Sequence, residues 1–439
     1  MTDSQYQGRS ARRDGRPERP RQTDVLISGG GIAGLTAAAA FGSAGYAVIC
    51  VDPAPQVTEA EAPGADLRTT ALLQPARALL RRAGVWDRLL PHASALRVMR
   101  IVDAGGEEAA PRATCDFESR DLSEDTPFGW NFPNWLLRRE LLARLNELPH
   151  VTLLPGTATR DVLTREAHAH VTLSQGAPVR ARLLIAADGR ESRVREALGI
   201  TARVTRYGQK ALTFAVGHDR PHDNVSTEVH RTGGPFTLVP LPDHEGRPRS
   251  AVVWMESGPE AQRLASLDVA EFEALMTERS AGVLGPLRLI GPRGLWPIVS
   301  QIAERLTAQR SALIAEAAHV VPPIGAQGLN MSIGDIALLL DLALESGGDP
   351  GSDDVLDAYQ RRRWPELRAR VAGVDLLNRA SMAGAPILRD GRLKGLELIH
   401  GLAPVRTGLM RLGLGAGAEA PGGEATDSSA KKEGGAPVG

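Results

Sequence analysis

Residues Gly29-Gly30-Gly31-Ile32-Ala33-Gly34 spell G-x-G-x-x-G directly after the apolar run Asp24 to Ser28, and the next apolar run, Ala47 to Val51, ends in an acid, Asp52. That order of residue types suits a dinucleotide. Glycines let the chain turn tightly, approach a diphosphate with bare backbone and pack a helix close on a strand, while the acid accepts hydrogen bonds from a ribose. A second stretch, Leu313 to Asp335, passes the acid Glu316 and then reads Pro322-Pro323-Ile324-Gly325-Ala326-Gln327-Gly328-Leu329-Asn330. Its prolines fix φ and remove donors, and Gly325 and Gly328 allow close backbone approach. The amides of Gly328, Leu329 and Asn330 then open a helix, where N–H groups without helical partners carry about half a positive charge and suit a delocalised anion.

Each of these turns needs an element on either side. The first predicts a buried strand, a helix to about Ala44 stopped by Gly45, and a second strand ending at Asp52. The second predicts a short strand, Ser311 to Ile314, and a helix running to about Leu344. A third turn, Asp188-Gly189, ends the apolar strand Leu183 to Asp188; Ser192 is placed to cap the following helix and Arg195 to pair with Asp188. By itself the first fingerprint does not separate FAD from NAD.

Taken together and in this order, the motifs resemble those of the single-component flavin-dependent aromatic hydroxylases related to para-hydroxybenzoate hydroxylase, and within them the ubiquinone-biosynthesis hydroxylases. The resemblance spans about Asp24 to Gly415. It rests on the first fingerprint, on Asp66-Leu67-Arg68-Thr69-Thr70, on Leu137-Arg138-Arg139-Glu140-Leu141, on the D-G-x-x-S-x-x-R pattern from Asp188 to Arg195, on Trp296-Pro297, on the Pro322 to Asn330 loop and on a Y-x-x-x-R pattern at Tyr359. It implies an α/β fold with a Rossmann-like FAD-binding domain, an inserted antiparallel β-sheet substrate domain and C-terminal helices. It implies non-covalent FAD, with O2 and NAD(P)H as co-substrates. The implied cofactor contacts are Gly29, Gly31, Ile32, Ala33, Gly34, Asp52, Arg68, Arg138, Asp188, Gly189, Glu316, Pro323, Gly325, Gln327, Gly328, Leu329 and Asn330. At the third motif the register selects Arg138, with Arg139 the alternative. Ala315-Glu316 departs from the family's usual Gly-Asp, and Glu316 is read as a working substitute one methylene longer. His319 is expected to support the loop.

Composition excludes several classes. Lys plus Arg is 51 against 52 for Asp plus Glu, so no global charge points to nucleic acid. The two cysteines, Cys50 and Cys115, lie far apart without metal-ligand spacing, which favours a reducing compartment. Met1 to Gln22 is polar and arginine-rich and reads as a solvated, disordered tail. Its Arg12-Arg13 pair lacks an adjoining apolar segment, and Asp3, Asp14 and Glu18 suit a mitochondrial transit peptide poorly. The expected location is cytoplasmic.

Along the chain, 23–96, 133–204 and 296–380 are assigned to the FAD-binding domain and 97–132 and 205–295 to the substrate domain. Short extended segments between Lys210 and Ser257 predict an antiparallel sheet roofing the cofactor. Asp121 to Asn134 reads as loop, with Phe128, Trp130 and Trp135 near a pocket or an interdomain contact. His230 and Tyr207 are polar groups that could touch a phenol, although structural roles are the simpler reading for both. Asp354 to Arg370 predicts a helix, followed by helical, apolar segments at Val371 to Asn378 and Gly391 to Leu414 (within the expected C-terminal helices 381–415). The second of these, basic and amphipathic, suits either an anionic membrane surface or docking onto the cofactor domain. The last stretch, 416–439, reads as disordered.

The family's chemistry is attack by a flavin C4a-hydroperoxide on an electron-rich phenol ring. The implied substrate is a polyprenylated phenol in ubiquinone biosynthesis, and the implied partners are a membrane surface and a biosynthetic complex, without nucleic acid. Two other readings stay open: hydroxylation of a small soluble aromatic acid, and a weakly active flavin-binding subunit.

Overall fold

In the computed structural model the described residues are 19–105, 108–121, 126–231, 233–382 and five positions between 402 and 410. Residues 1–18 of the expected N-terminal tail, the expected C-terminal tail, and nearly all of the segment expected to be helical from Gly391 to Leu414 lie outside them.

The first sheet orders its strands Thr307–Ala308, Ser311–Leu313, Val179–Ala186, Arg21–Ser28, Val48–Asp52 and Val151–Pro155, with the hairpin Thr159–Thr164 and Ala169–Leu173 attached to Val179–Ala186. Arg21–Ser28 pairs in parallel on both sides, with Val179–Ala186 and Val48–Asp52. Its residues Val25, Leu26 and Ile27 are fully buried, as a strand covered on both faces must be. Strand pairing begins at Arg21, inside the stretch expected to be a tail. The helix Ile32–Ser43 packs on this sheet through Leu35 and the run Ala37 to Phe41, small residues that bring helix and strand close together.

The second sheet runs His319–Val320, Arg288–Ala303, Ala202–Gly217, Arg247–Ser257, Pro235–His244, Val225–His230, Val98–Asp103 and Ala113–Glu118. All neighbours pair antiparallel except Val225–His230 with Val98–Asp103. One face buries Val216, Val229, Phe236 and Trp254 against the helices Gly258–Ser266 and Val269–Arg279, with Phe272 and Met276 at the contact. The other face looks toward the first sheet.

Three expectations change here. Trp296-Pro297 was read as the chain's return to the cofactor domain, yet both residues lie inside Arg288–Ala303, which pairs with Ala202–Gly217 along nearly its whole length. Each of these 16-residue strands therefore runs across an expected boundary. Asp121 to Asn134 is not loop throughout: Gly129–Pro133 is the centre of a three-stranded sheet with Thr69–Leu73 and Ser94–Leu96. Its glycine and proline hid a strand that exists only because two distant partners satisfy its backbone. Lastly, the helix from Asp353 does not divide near residue 370 but continues to Met382 despite Pro365.

Gln327–Glu345 is long and apolar enough to cross a membrane by length and composition, and 56% of that window is buried inside the protein, as in a core helix.

Candidate active site

Where the two sheets face each other they enclose a cavity of about 570 Å³. Its floor comes from the three turns singled out in the sequence. Gly31, Ile32 and Ala33 line it, as do Gly189 with Arg190, and Pro323, Gly325, Gln327, Gly328 and Leu329; Arg68, Arg138 and Glu316 stand around them. Gly29, Gly34, Asp52, Asp188 and Asn330 do not line it.

The glycines divide by what a methyl group would meet. At Gly29, whose φ is +110°, a Cβ would lie 2.2 Å from the Ala187 carbonyl oxygen; at Gly34 it would lie 1.9 Å from the Gly29 carbonyl oxygen. These two hold turn, helix and neighbouring strand together. At Gly31, Gly189 and Gly328 a Cβ would meet nothing within 4 Å. Those three border the cavity, so three turns far apart in sequence leave bare backbone around one open space.

The other residues fix these turns. Asp52 accepts hydrogen bonds from the amides of Gly30 (2.5 Å) and Ala54 (2.7 Å). Arg138 donates to the Gly30 carbonyl (3.1 Å) and to Gln56 Oε1 (2.6 Å), whereas Arg139 pairs with Glu140 and lies over Trp135. Of the two arginines left open by the sequence, Arg138 faces the cavity. Gln56 was not anticipated; its Nε2 is buried without a partner, and nothing in its loop sequence marks it. Asp188 accepts from Ser192 Oγ (2.5 Å) and the Val194 amide, and Ser192 caps its helix as expected. Arg195 does not pair with Asp188: its guanidinium donates to the carbonyls of Ala317 and Arg190, tying the Asp188 turn to the Glu316 segment. Asn330 points away from the cavity, accepting from the Leu73 amide and donating to the Ala71 carbonyl (2.7 Å), so it joins the Gln327–Glu345 helix to the three-stranded sheet.

Arg68 forms a bidentate pair with Asp66 and stacks on Trp296, 4.4 Å from the ring centroid, at the seam between the cofactor side and the roof. Glu316 stands half exposed and meets Arg190 at 3.4 Å. Just before it, Ala315 holds φ +54°, the left-handed conformation that glycine adopts freely. The family's usual Gly-Asp, against Ala315-Glu316 here, is thus strain as well as length. Ala315→Gly should raise stability by about 0.5–1 kcal/mol: a Cβ in this region costs roughly 1–2 kcal/mol, and the extra freedom of unfolded glycine returns part of that. A urea midpoint shifted upward at unchanged slope is the expected result.

Behind the loop lies a buried charge centre. Asp335, fully buried, accepts from the Ala315 amide (3.0 Å), His319 Nε2 (2.7 Å) and Arg363 Nε (2.7 Å). Burial pushes its carboxyl up, but His319 and Arg363 outweigh this and hold it below the ordinary aspartate value. His319 therefore supports the loop. Tyr359, from the same helix as Arg363, donates to the Leu313 carbonyl. Tyr207 also serves structure: its hydroxyl bonds Ser300 and Asp375, burial with Asp375 pushes it up to about 12, and it does not line the cavity.

The roof differs in kind. It offers Leu73, Leu96, Met99, Phe128, Val239 and Val253 with a few uncharged polar groups, and one carboxylate, Glu228. Glu228 was missed in the sequence, because its facing depends on strand register that no local signal carries; Asn131 lies in the Phe128 to Asn134 stretch expected near a pocket, without a role of its own assigned there. His230, singled out there, lies behind Glu228 and bonds it at 2.7 Å. No group of metal-ligating side chains occurs among the described residues.

These residues fit a flavin dinucleotide. Bare backbone at three turns and a helix N-terminus opening on the same space are what a diphosphate and an anionic ring require. The comparisons agree. A family model described as "FAD binding domain" matches residues 22–373. Ubiquinone hydroxylase UbiL of Rhodospirillum rubrum is 34% identical over 398 residues, covering 89% of both chains. The 3-demethoxyubiquinol 3-hydroxylase of Escherichia coli is 27% identical, covering 89% of this chain and 96% of its own. Human COQ6, a ubiquinone biosynthesis monooxygenase, is 27% identical over 88% and 90%. Among solved structures, p-nitrophenol 4-monooxygenase PnpA of Pseudomonas putida superposes with a TM-score of 0.71 at 20% identity, over 89% of this chain and 97% of that one, and shares the fold. The chain belongs to the FAD-dependent monooxygenases and, among them, to the ubiquinone-biosynthesis hydroxylases.

Proposed function

We propose that this protein hydroxylates the aromatic ring of a polyprenylated phenol on the way to ubiquinone, using FAD, O2 and NAD(P)H. The observation that carries the reading is the division of one cavity into a floor of bare backbone with three arginines and a roof that is apolar and offers no free cation among its described residues. When bound, the reduced flavin with O2 supplies an electrophilic oxygen to an electron-rich ring. The chain's own work is to hold and to exclude. Gly31, Ile32, Ala33, Gly189 and Arg138 would flank the diphosphate, with Asp52 and Glu316 toward the ribose and ribityl hydroxyls. The Gln327 to Leu329 amides would face the ring's anionic edge, and the apolar roof keeps water out. A small aromatic acid, the competing substrate class, needs a cation for its carboxylate; of the arginines lining the cavity, Arg138 and Arg190 stand on the floor, and Arg68, at the seam, is already paired with Asp66.

A prenyl tail gains roughly 0.8 kcal/mol per buried CH2, so its owner resides in a bilayer. We therefore place the enzyme in the cytoplasm, working peripherally at a membrane and in contact with partners of the same pathway. The test is mass spectrometry of quinone intermediates in a deletion strain. A prenylphenol lacking one hydroxyl should accumulate and disappear on complementation; normal ubiquinone with no such compound would refute the assignment.

A further inference from the structure

Two acceptors face the roof side of the cavity, and the fold provides no partner for one of them. Asn131 is fully buried; its Nδ2 donates to the Pro240 carbonyl at 2.9 Å, which fixes the amide orientation and leaves Oδ1 buried without a hydrogen bond. A buried polar atom left so costs about 1–3 kcal/mol, so a ligand donor there restores what folding gave up. Glu228 comes from Val225–His230, where alternation sends Ser226 and Glu228 to the cavity and Val229 into the opposite core. It is 7% exposed, and His230 Nε2 holds one of its oxygens at 2.7 Å. Apart from His319, whose ring is bound to Asp335, Glu228 is the ionisable side chain that the second sheet's described residues present to the cavity.

We propose that Asn131 and Glu228 are specificity-determining residues: together they select a neutral ring bearing a hydroxyl donor and reject rings bearing a carboxylate. A phenolic O–H can donate to either acceptor. A ring carboxylate placed there would meet Glu228 as a like charge and Asn131 Oδ1 as a lone pair, with only neutral hydroxyls such as those of Ser226 and Thr237 to offset its loss of water. His230 is the positioning residue, since its bond holds Glu228 in one rotamer. This inference rests on the aromatic substrate proposed above, but not on the prenyl tail or the pathway.

The experiment is a binding titration of the flavin-loaded protein, followed by perturbation of the flavin absorbance, with 2-prenylphenol and 4-hydroxybenzoate as probes. The native protein should prefer the neutral phenol by at least about a hundredfold. Glu228→Gln should lose about tenfold in phenol affinity and gain about tenfold for the acid, while Glu228→Asp keeps the discrimination. Asn131→Leu should weaken the phenol about tenfold without admitting the acid. If Glu228→Gln does not load flavin, Asn131→Leu and Glu228→Asp carry the test. Equal affinities for the two probes in the native protein, or a ratio left within twofold by both Glu228→Gln and Asn131→Leu, would overturn the proposal. A deletion strain without prenylphenol alongside a ratio that shifts as described would refute the pathway and leave this inference standing.

Discussion

Gly34→Ala should purify without its yellow colour. The added Cβ would lie 1.9 Å from the Gly29 carbonyl oxygen, a backbone atom that cannot swing aside, so the Ile32–Ser43 helix must retreat by on the order of 1 Å. Overpacking of that kind costs roughly 3 kcal/mol. It falls on the turn that faces the diphosphate, so flavin affinity should drop about a hundredfold and the unfolding midpoint should fall too. Gly31→Ala is the control that separates the two effects. Its φ of −68° suits any residue and its Cβ would touch nothing within 4 Å, so folding should be unchanged while the methyl occupies ligand space. Equilibrium dialysis against FAD together with urea unfolding checks both. Gly31→Ala with native flavin affinity would mean that the turn does not face the cofactor.

Asp335→Asn should be the most destabilising single change behind the loop, by about 3 kcal/mol, because it removes the buried one of Arg363's two carboxylate partners and leaves that guanidinium only the half-exposed Glu366. Arg363→Met made together with it should recover most of the loss, which a double-mutant cycle in urea would show as a coupling of the same sign. The acid limb supplies a second readout. Asp335 is held below its ordinary value, so its contribution is complete above about pH 4, where the unfolded carboxyl ionises, and is lost as pH falls through the lower, folded value. Between pH 5 and pH 3 the native midpoint should therefore fall more steeply than that of Asp335→Asn. Parallel slopes would mean that other carboxylates govern the acid transition.

The parts of the site that a sequence reader can find are those dictated by backbone geometry. Gly29 and Gly34 had to be glycine because backbone atoms, of the Ala187 segment and of the turn itself, lie where a side chain would begin, and such positions leave a spaced pattern in the chain. Pro322 to Asn330 was visible for the same reason, as a loop written in residues that restrict φ. The choice between Arg138 and Arg139 stayed open because adjacent helical residues differ by about 100° in facing, less than a propensity argument resolves. Glu228 was invisible for a deeper reason: it acquires meaning only from strands brought up from elsewhere. Gly129–Pro133 was taken for loop because glycine and proline at its ends outweighed its aromatic centre, whereas pairing with Thr69–Leu73 and Ser94–Leu96 decided the matter. Ala315 carried a legible departure from the family's glycine; its left-handed backbone explains why the departure matters.

The helix Asp353–Met382 is moored at both ends. Toward its start Tyr359 and Arg363 are fastened to Leu313, Met331 and Asp335 beneath the cofactor floor, and farther along Asp375 and Asn378 are fastened to Tyr207 and Gln209 in the roof. One rigid strut thus bridges two layers that would otherwise be free to swing apart. Parting the two layers to admit a guest would have to break those ties.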